Sequence, residues 1–200
     1  RNIGGDSDSK DFIRGYGYQG GAWRNSMSEV VAELKYGPEL KEAILKPGGW
    51  KIGVTAFGET LPDHNNKMYL DYDKLDEWGL PTVTFDADFG ENELAMRKDM
   101  KDQAVKMFKA AGYKNVVGYD SIDSRAMGLG IHEMGTARMG HDPKTSVLNK
   151  YNQIHSCKNV FVTDGSFMTS SACQNPSLTY MAFTARAANY AVKEFKNGNL

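Results

Sequence analysis

Two short segments of this chain have the residue types and spacing to act on an alcohol. His132 lies in the run Gly130-Ile131-His132-Glu133-Met134-Gly135-Thr136-Ala137-Arg138-Met139-Gly140, which holds three glycines and few helix-forming signals. Glycines so placed mark tight turns, or points where another group approaches the backbone. Taken alone, His132 reads as a structural or surface histidine. The second segment, Gln174-Asn175-Pro176, stands where a helix begins. Such a terminus offers free N–H groups and a partial positive charge. Asn175 alone reads as an N-cap. A neutral imidazole, a side-chain amide and an anion-stabilising helix end together form a constellation suited to alcohol oxidation.

Other motifs do not survive inspection. Gly15-Tyr16-Gly17-Tyr18-Gln19-Gly20 spells G-x-G-x-x-G. A dinucleotide site needs a buried strand before that motif and a helix directly after it. Ser9 to Arg14 make a poor buried strand, and the helix signal starts late, so the stretch reads as a glycine-rich loop. Asp86-Ala87-Asp88-Phe89-Gly90 lacks the later ligands of a calcium loop. His132-Glu133 begins like H-E-x-x-H, but Thr136 stands where the second histidine belongs. No other His, Cys and Asp grouping has metal spacing, so no metal is expected. Cys157 and Cys173 have no C-x-x-C or zinc spacing and read as two buried thiols or a single bridge.

The elements that must position these residues change along the chain. The first 25 residues, rich in Gly, Ser and Asp, read as loop. Helices are expected over 26–35 and 38–45. Trp50, Ile52, Val54 and Ala56 alternate with period two, as do Met68, Leu70 and Tyr72, and then Val83 and Phe85. Turn-rich stretches between them point to an antiparallel sheet. From Glu91 to Ala111 the period becomes helical: Met96, Met100, Ala104, Met107, Phe108 and Ala111 share a face, with Gly112 at the C-cap. Val116-Val117 suggests a short strand, and 120–130 a loop. Val160-Phe161-Val162 fits a strand buried on both faces, as in a parallel sheet. After a loop over 166–174, Asn175-Pro176 opens a long helix. Its apolar face is Leu178, Met181, Ala182, Ala185, Ala188, Val192 and Phe195.

With 200 residues, 40% hydrophobic and 24% charged, the composition is that of a soluble globular protein large enough for one or two domains. A net charge of -1 gives no electrostatic reason to expect nucleic acid or an anionic membrane as partner. No apolar run approaches the roughly 18–20 residues of a membrane span. The chain opens on Arg1 without an initiator Met, which reads as a fragment of a longer parent.

Between His132 and Thr179 four ordered blocks carry a resemblance. They are His132 to Gly140, Asp142-Pro143, Asn159-Val160-Phe161-Val162-Thr163-Asp164-Gly165-Ser166, and Asn175-Pro176-Ser177-Leu178-Thr179. In order and spacing they closely resemble the C-terminal signature of the glucose-methanol-choline (GMC) oxidoreductases. Upstream, Glu59-Thr60-Leu61-Pro62-Asp63, Asn66, Leu70-Asp71 and Trp78-Gly79-Leu80-Pro81 resemble the substrate-domain strands of that family. Residues 1–50 carry no such match. Asn149 stands where the family often has Asp, and Ile154-His155-Ser156-Cys157 replaces a common Val-His-Gly turn.

The resemblance implies an α+β fold. Residues 1–128 would be part of a substrate-binding domain built on an antiparallel sheet with flanking helices. Residues 129–200 would return to an α/β FAD-binding domain, adding a strand and a helix. The family's dinucleotide fingerprint lies in the N-terminal FAD-binding portion of the parent, so the chain alone would be inactive. The implied chemistry is hydride transfer from an alcohol or sugar CH–OH to flavin N5. His132 would take the hydroxyl proton, and histidine is the usual base near neutral pH. Asn175, where some members carry a second histidine, would hydrogen-bond the same oxygen. Asp164, Gly165, Asn175, Pro176 and Thr179 would line the FAD, with the positive helix end toward the flavin pyrimidine. The sequence does not distinguish oxygen, a quinone or a cytochrome as electron acceptor. Two other classes stay open. One is a non-catalytic carbohydrate-binding or subunit-interaction module, suggested by aromatic loops at Tyr16, Tyr18 and Trp23. The other is a metal-dependent hydrolase resting on His132-Glu133 alone.

Overall fold

A computed structural model describes residues 2, 4–5, 8–24, 36–45 and 48–200. Its elements are β1 (Tyr16–Arg24), α1 (Pro38–Leu45), β2 (Trp50–Gly58), β3 (Lys67–Leu75), β4 (Pro81–Asp86) and α2 (Glu91–Ala110), then a 3-10 turn (Asp123–Arg125). They continue with β5 (Gln153–Ile154), β6 (Cys157–Phe161), a second 3-10 turn (Gly165–Phe167) and α3 (Ser177–Lys196). The arrangement is mixed α+β, with three two-stranded antiparallel sheets among the described residues. The helix expected over 26–35 lies outside the described residues.

The glycine-rich stretch read as loop is a strand. Tyr16 and Tyr18, two residues apart, share one face of β1. β1 pairs with β2 in unbroken register, from Tyr16 opposite Gly58 to Arg24 opposite Trp50. Glycine's poor strand propensity hid the alternation, and pairing with β2 overrides it. The tyrosine face packs on α2, forming a core of Phe12, Tyr16 and Met96 with Tyr18, Ala95 and Met100 around it. Tyr18 rests edge-on against Tyr16, with ring centroids 5.5 Å apart.

α1, β2, β3 and β4 match their expected positions. α2 covers nearly the whole expected helix, closing on Gly112 in the left-handed region at φ +83°. The Glu93 side chain accepts the Gly90 N–H at 3.0 Å and the Leu61 N–H at 2.9 Å, tying the helix start to the chain before β3. Of its expected apolar face, Met96 is buried while Met107 is exposed. In the β3–β4 pair, Met68 lies opposite Phe85 and Leu70 opposite Val83, so one face is apolar; all four are exposed. Asn66 and Asp88 clip the open end reciprocally, by Asn66 Nδ2 to the Asp88 carbonyl and Asp88 N–H to Asn66 Oδ1.

Three further expectations fail. Val116-Val117 forms no strand: among the described residues nothing pairs with it, and Val117 is exposed. The apolar run after Asn159 is only partly strand: β6 ends at Phe161 and pairs antiparallel with β5, leaving Val160 exposed. Asn152, buried and left-handed at φ +62°, makes the tight turn before this hairpin and donates from Nδ2 to the Val162 carbonyl at 2.9 Å. A short polar side chain tolerates that backbone geometry. The two cysteines are free thiols; Cys173 is half-buried and Cys157 exposed, so the two-buried-thiol expectation fails at Cys157.

α3 buries an unexpected face. Phe183, Thr184, Ala187 and Tyr190 turn inward, and Tyr190 stacks on Tyr151 at 3.9 Å between centroids. The expected apolar stripe points outward: Leu178 is 79% exposed and Phe195 72%. A helix apolar on both sides is characteristic of a helix gripped from both sides. Among the described residues no helix is long and apolar enough to cross a membrane.

The β1–α2 contact yields a stability test. Burial, and then the hydrogen bond to Asp99 at 2.6 Å, push the Tyr16 hydroxyl above the ordinary tyrosine range. A raised native value gives stability that is complete below the unfolded value of about 10 and fades as pH rises past it. Tyr16→Phe is expected to cost about 1 kcal/mol at neutral pH and to weaken this alkaline loss. Thermal melts at neutral pH and above pH 10 measure both; identical melting curves for the two proteins would show that the contact contributes nothing.

Candidate functional site

The segments singled out by sequence converge on one ring. Phe167 is 1% exposed, stacks on Phe183 at 5.0 Å and meets Tyr180 edge-on at 6.3 Å. Its carbonyl accepts the Met139 N–H at 2.9 Å, and the Ser166 carbonyl accepts the Ala137 N–H at 3.0 Å. The strip after His132 is thereby laced to the strip after Asp164, and both lie against the inner face of α3. The Tyr180 hydroxyl completes the junction with a weak contact to the Met134 sulfur at 3.7 Å. Burial, with the Asp164 charge as second cause, raises the Tyr180 pKa, so Tyr180 stays a neutral donor.

Each expected site residue has a definite place. His132 is half-buried, two residues before Met134. Asn175 is exposed, two residues before α3 starts at Ser177. No hydrogen bond joins the two side chains among the described residues. Pro176, not Asn175, occupies the N-cap of α3, and no side chain caps that end. Proline has no side-chain acceptor, so the N–H groups of the first turn stay available. The N-cap reading of Asn175 is therefore wrong, and its amide is not spent on the helix. Thr179 is half-buried in the first turn. Asp164 caps the second 3-10 turn, its Oδ1 accepting the Ser166 N–H at 2.8 Å and the Ser166 hydroxyl at 2.5 Å. A Cβ on Gly165 would stand 2.7 Å from the Tyr180 hydroxyl and 2.9 Å from the Met134 sulfur, so any side chain there would have to displace these two groups.

The arm leading into His132 is under tension and tethered. Ile131 takes a left-handed backbone, φ +57°, which for a β-branched residue stores about 1–3 kcal/mol. Glu133 folds back to accept the Gly130 N–H at 2.8 Å, closing a small loop around the histidine. Farther back, Arg97 on α2 holds the arm with one guanidinium. Nη2 donates to Asp120 and to the Ser121 carbonyl at 3.2 Å, and Nη1 to the Arg125 carbonyl at 3.1 Å. The guanidinium also lies over the Phe89 ring at 4.8 Å. Sequence reading passed over Arg97 and Phe167. Arg97 is the single arginine on a helix otherwise served by lysines, and a planar fork suits several fixed acceptors. Phe167 lay in a stretch read as loop.

The departures from the expected pattern are absorbed locally. Asn149 Oδ1 accepts the Tyr151 N–H at 2.8 Å, and its Nδ2 donates to Gln153 Oε1 at 2.8 Å, so the amide holds the turn where an acid was expected. His155 Nε2 lies 3.1 Å from the Ser146 hydroxyl, which donates to the Asp142 carbonyl at 2.7 Å.

Comparison with known proteins fixes the family. The GMC oxidoreductase pattern matches residues 62–184, which include His132, Asp164, Gly165, Asn175, Pro176 and Thr179. The chain belongs to the GMC oxidoreductase family, as its C-terminal part. It is 30% identical over 199 residues to the 2-methyl-1,2-propanediol dehydrogenase of Mycolicibacterium austroafricanum, covering 94% of this chain and 35% of that protein. It is 30% identical over 164 residues to the fructose dehydrogenase large subunit of Gluconobacter japonicus, covering 81% of this chain and 29% of the relative. Identity to the gluconate 2-dehydrogenase flavoprotein of Pantoea cypripedii is 28% over 210 residues, covering 94% and 33%. The chain thus spans about a third of the length of these GMC relatives. A match to 94% of the chain also reaches into the first fifty residues, where no block was recognisable.

The junction at Phe167 should be indispensable to the fold of this region. Phe167→Ala is expected to cost about 3–5 kcal/mol by leaving a cavity between three segments. Urea unfolding measures it, and a loss below about 1 kcal/mol would show that the junction does not rest on this ring.

Proposed function

We propose that this chain is the substrate-side, C-terminal part of an FAD-dependent oxidoreductase acting on CH–OH donors, alcohols or sugars. His132 is the base and Asn175 hydrogen-bonds the same substrate oxygen. The observation that carries this reading is the start of α3, where the Asn175 amide is not spent as a cap and the first-turn N–H groups have no side-chain acceptor. A structural asparagine in that position would be expected to cap its helix.

The donor set fits a flavin. Asn175, Pro176 and Thr179 at the helix start would approach the ring, and Asp164 and Gly165 would lie toward the ribityl or pyrophosphate part. When bound, the flavin supplies the acceptor, N5, for two electrons and a proton leaving together as hydride. The rest falls to this chain. Asn175 holds the hydroxyl oxygen and His132 takes the hydroxyl proton as the C–H bond breaks, so CH–OH becomes C=O. The positive end of α3 favours negative charge gathering beside it. The Ile131 backbone and the Glu133 clasp hold the histidine in one orientation, which such proton transfer requires.

The domain assignment follows the same reading. Residues 1–128 form part of the substrate-binding domain, and residues 129–200 return to the FAD-binding domain. The outward apolar stripe of α3 supports this. So does the surface: the chain exposes 14889 Å², against about 9,400 Å² for a compact monomer of this mass. The N-terminal FAD-binding portion of the parent is the partner that covers these faces, and the chain alone is inactive. The module reading keeps one of its three aromatics, because Tyr16 and Tyr18 lie in a strand and pack inward on α2 while Trp23 stays exposed.

Two measurements test this. In the flavin-loaded parent, with 2-methyl-1,2-propanediol, fructose and gluconate as donors, His132→Ala is expected to slow flavin reduction about 100- to 10,000-fold. Reduction at the parental rate would remove His132 from the base role. Calorimetry of the 200-residue chain with the same sugars and no FAD is expected to give no heat of binding. Tight binding there would favour a carbohydrate-binding module.

A further inference from the structure

β1 is held from both sides. Its even-numbered tyrosines face α2: the Tyr16 hydroxyl donates to Asp99 at 2.6 Å and the Tyr18 hydroxyl to the Met100 carbonyl at 2.6 Å. Alternate residues of a strand face the other way. In β1 these include Gly17 and Gln19, and both meet the loop that ends at Asn175. The Gln19 side-chain amide donates to the Cys173 carbonyl at 2.5 Å. A Cβ on Gly17 would stand 2.8 Å from the Cys173 sulfur, so any side chain there would press on the loop. The stretch that looked like a nucleotide fingerprint thus owes two of its residues to one contact.

We propose that Gln19 is a positioning residue for Asn175. β1, fixed on α2, holds the Cys173 carbonyl, and so sets where Asn175, two residues on, presents its amide to the substrate oxygen. This rests on the reading of Asn175 as the partner of that oxygen. Two peptide units reach about 7 Å, so a loop end held only by α3 could carry the amide well away from a fixed oxygen. A displacement of about 1 Å in such a group costs on the order of 100-fold in rate. Gly17 is the second half of the device, because it lets the loop lie close enough for Gln19 to reach. The contact also joins the two proposed domain portions, with β1 in 1–128 and Asn175 in 129–200.

The test is a double-mutant cycle in the flavin-loaded parent, reading flavin reduction by whichever of the three donors reduces it fastest. Gln19→Leu removes the donor at similar bulk and is expected to lower the rate at least about 10-fold in the parent, with no further loss in an Asn175→Ala background. Cys173 should at the same time react faster with a maleimide, against exposed Cys157 as internal standard. An unchanged rate, an equal fold-loss in both backgrounds, or unchanged Cys173 labelling would each overturn the proposal. Parental rates in Asn175→Ala would instead remove the reading beneath it, and no donor reducing the flavin would remove the proposed function. Gln19→Asn, one methylene too short, carries the same comparison if Gln19→Leu does not accumulate as flavoprotein.

Discussion

Everything around the site leans on the burial of Phe167 against Phe183 and Tyr180. The ring occupies the point where three stretches of chain, far apart in sequence, must meet. Two of them are not regular structure long enough to place themselves: the strip after His132 is coil and the strip after Asp164 a single 3-10 turn. Only α3 is rigid in its own right. The ring fastens one strip to that helix by side-chain contact, and its own carbonyl fastens the other by a hydrogen bond. Without an apolar anchor of this size, the entropy of two loops would outweigh a few backbone hydrogen bonds.

From that anchor the polar parts acquire their roles. The uncapped start of α3 is tolerable only where water or a bound group satisfies its N–H groups. Asp164 is committed to its own turn, which orients the Gly165 backbone and lets Tyr180 and Met134 close over it. Arg97 secures the approach to His132 from α2, before the histidine in sequence, as the Phe167 junction secures the strip after it. The arm bearing the histidine is therefore fixed at both ends, with the strained Ile131 between them. Strain of that kind persists where flanking structure over-determines the chain.

Regular elements with clean periodicity were legible in the sequence. β2, β3, β4, α1 and α2 follow from alternation or from a 3.6-residue repeat, with proline and glycine as punctuation. β1 was not, since three glycines among its nine residues erase the propensity signal, and only its partner's register explains it. Val116-Val117 shows the converse: good strand residues without a partner remain coil. The family, and so the candidate chemistry, was legible because four ordered blocks agree, although His132 and Asn175 each have bland explanations singly. For Asn175 the bland explanation proved false, since the cap position is one residue later than the Asn-Pro pair suggested. Arg97, Phe167 and Gln19 were illegible for a common reason. Each acts across more than 20 residues of sequence, and no local pattern encodes the partner.

α3 has a consequence for how this region varies. Its inward aromatics and its outward stripe of leucine, methionine, alanine, valine and phenylalanine obey different partners. Studied as a separate domain, the stripe would tolerate polar replacement and even gain solubility from it. In the assembled oxidoreductase proposed for it, the same replacements would fall in an interior. Substitution patterns along this one helix would then record two histories, one set by its own chain segment and one by the surface that covers the stripe.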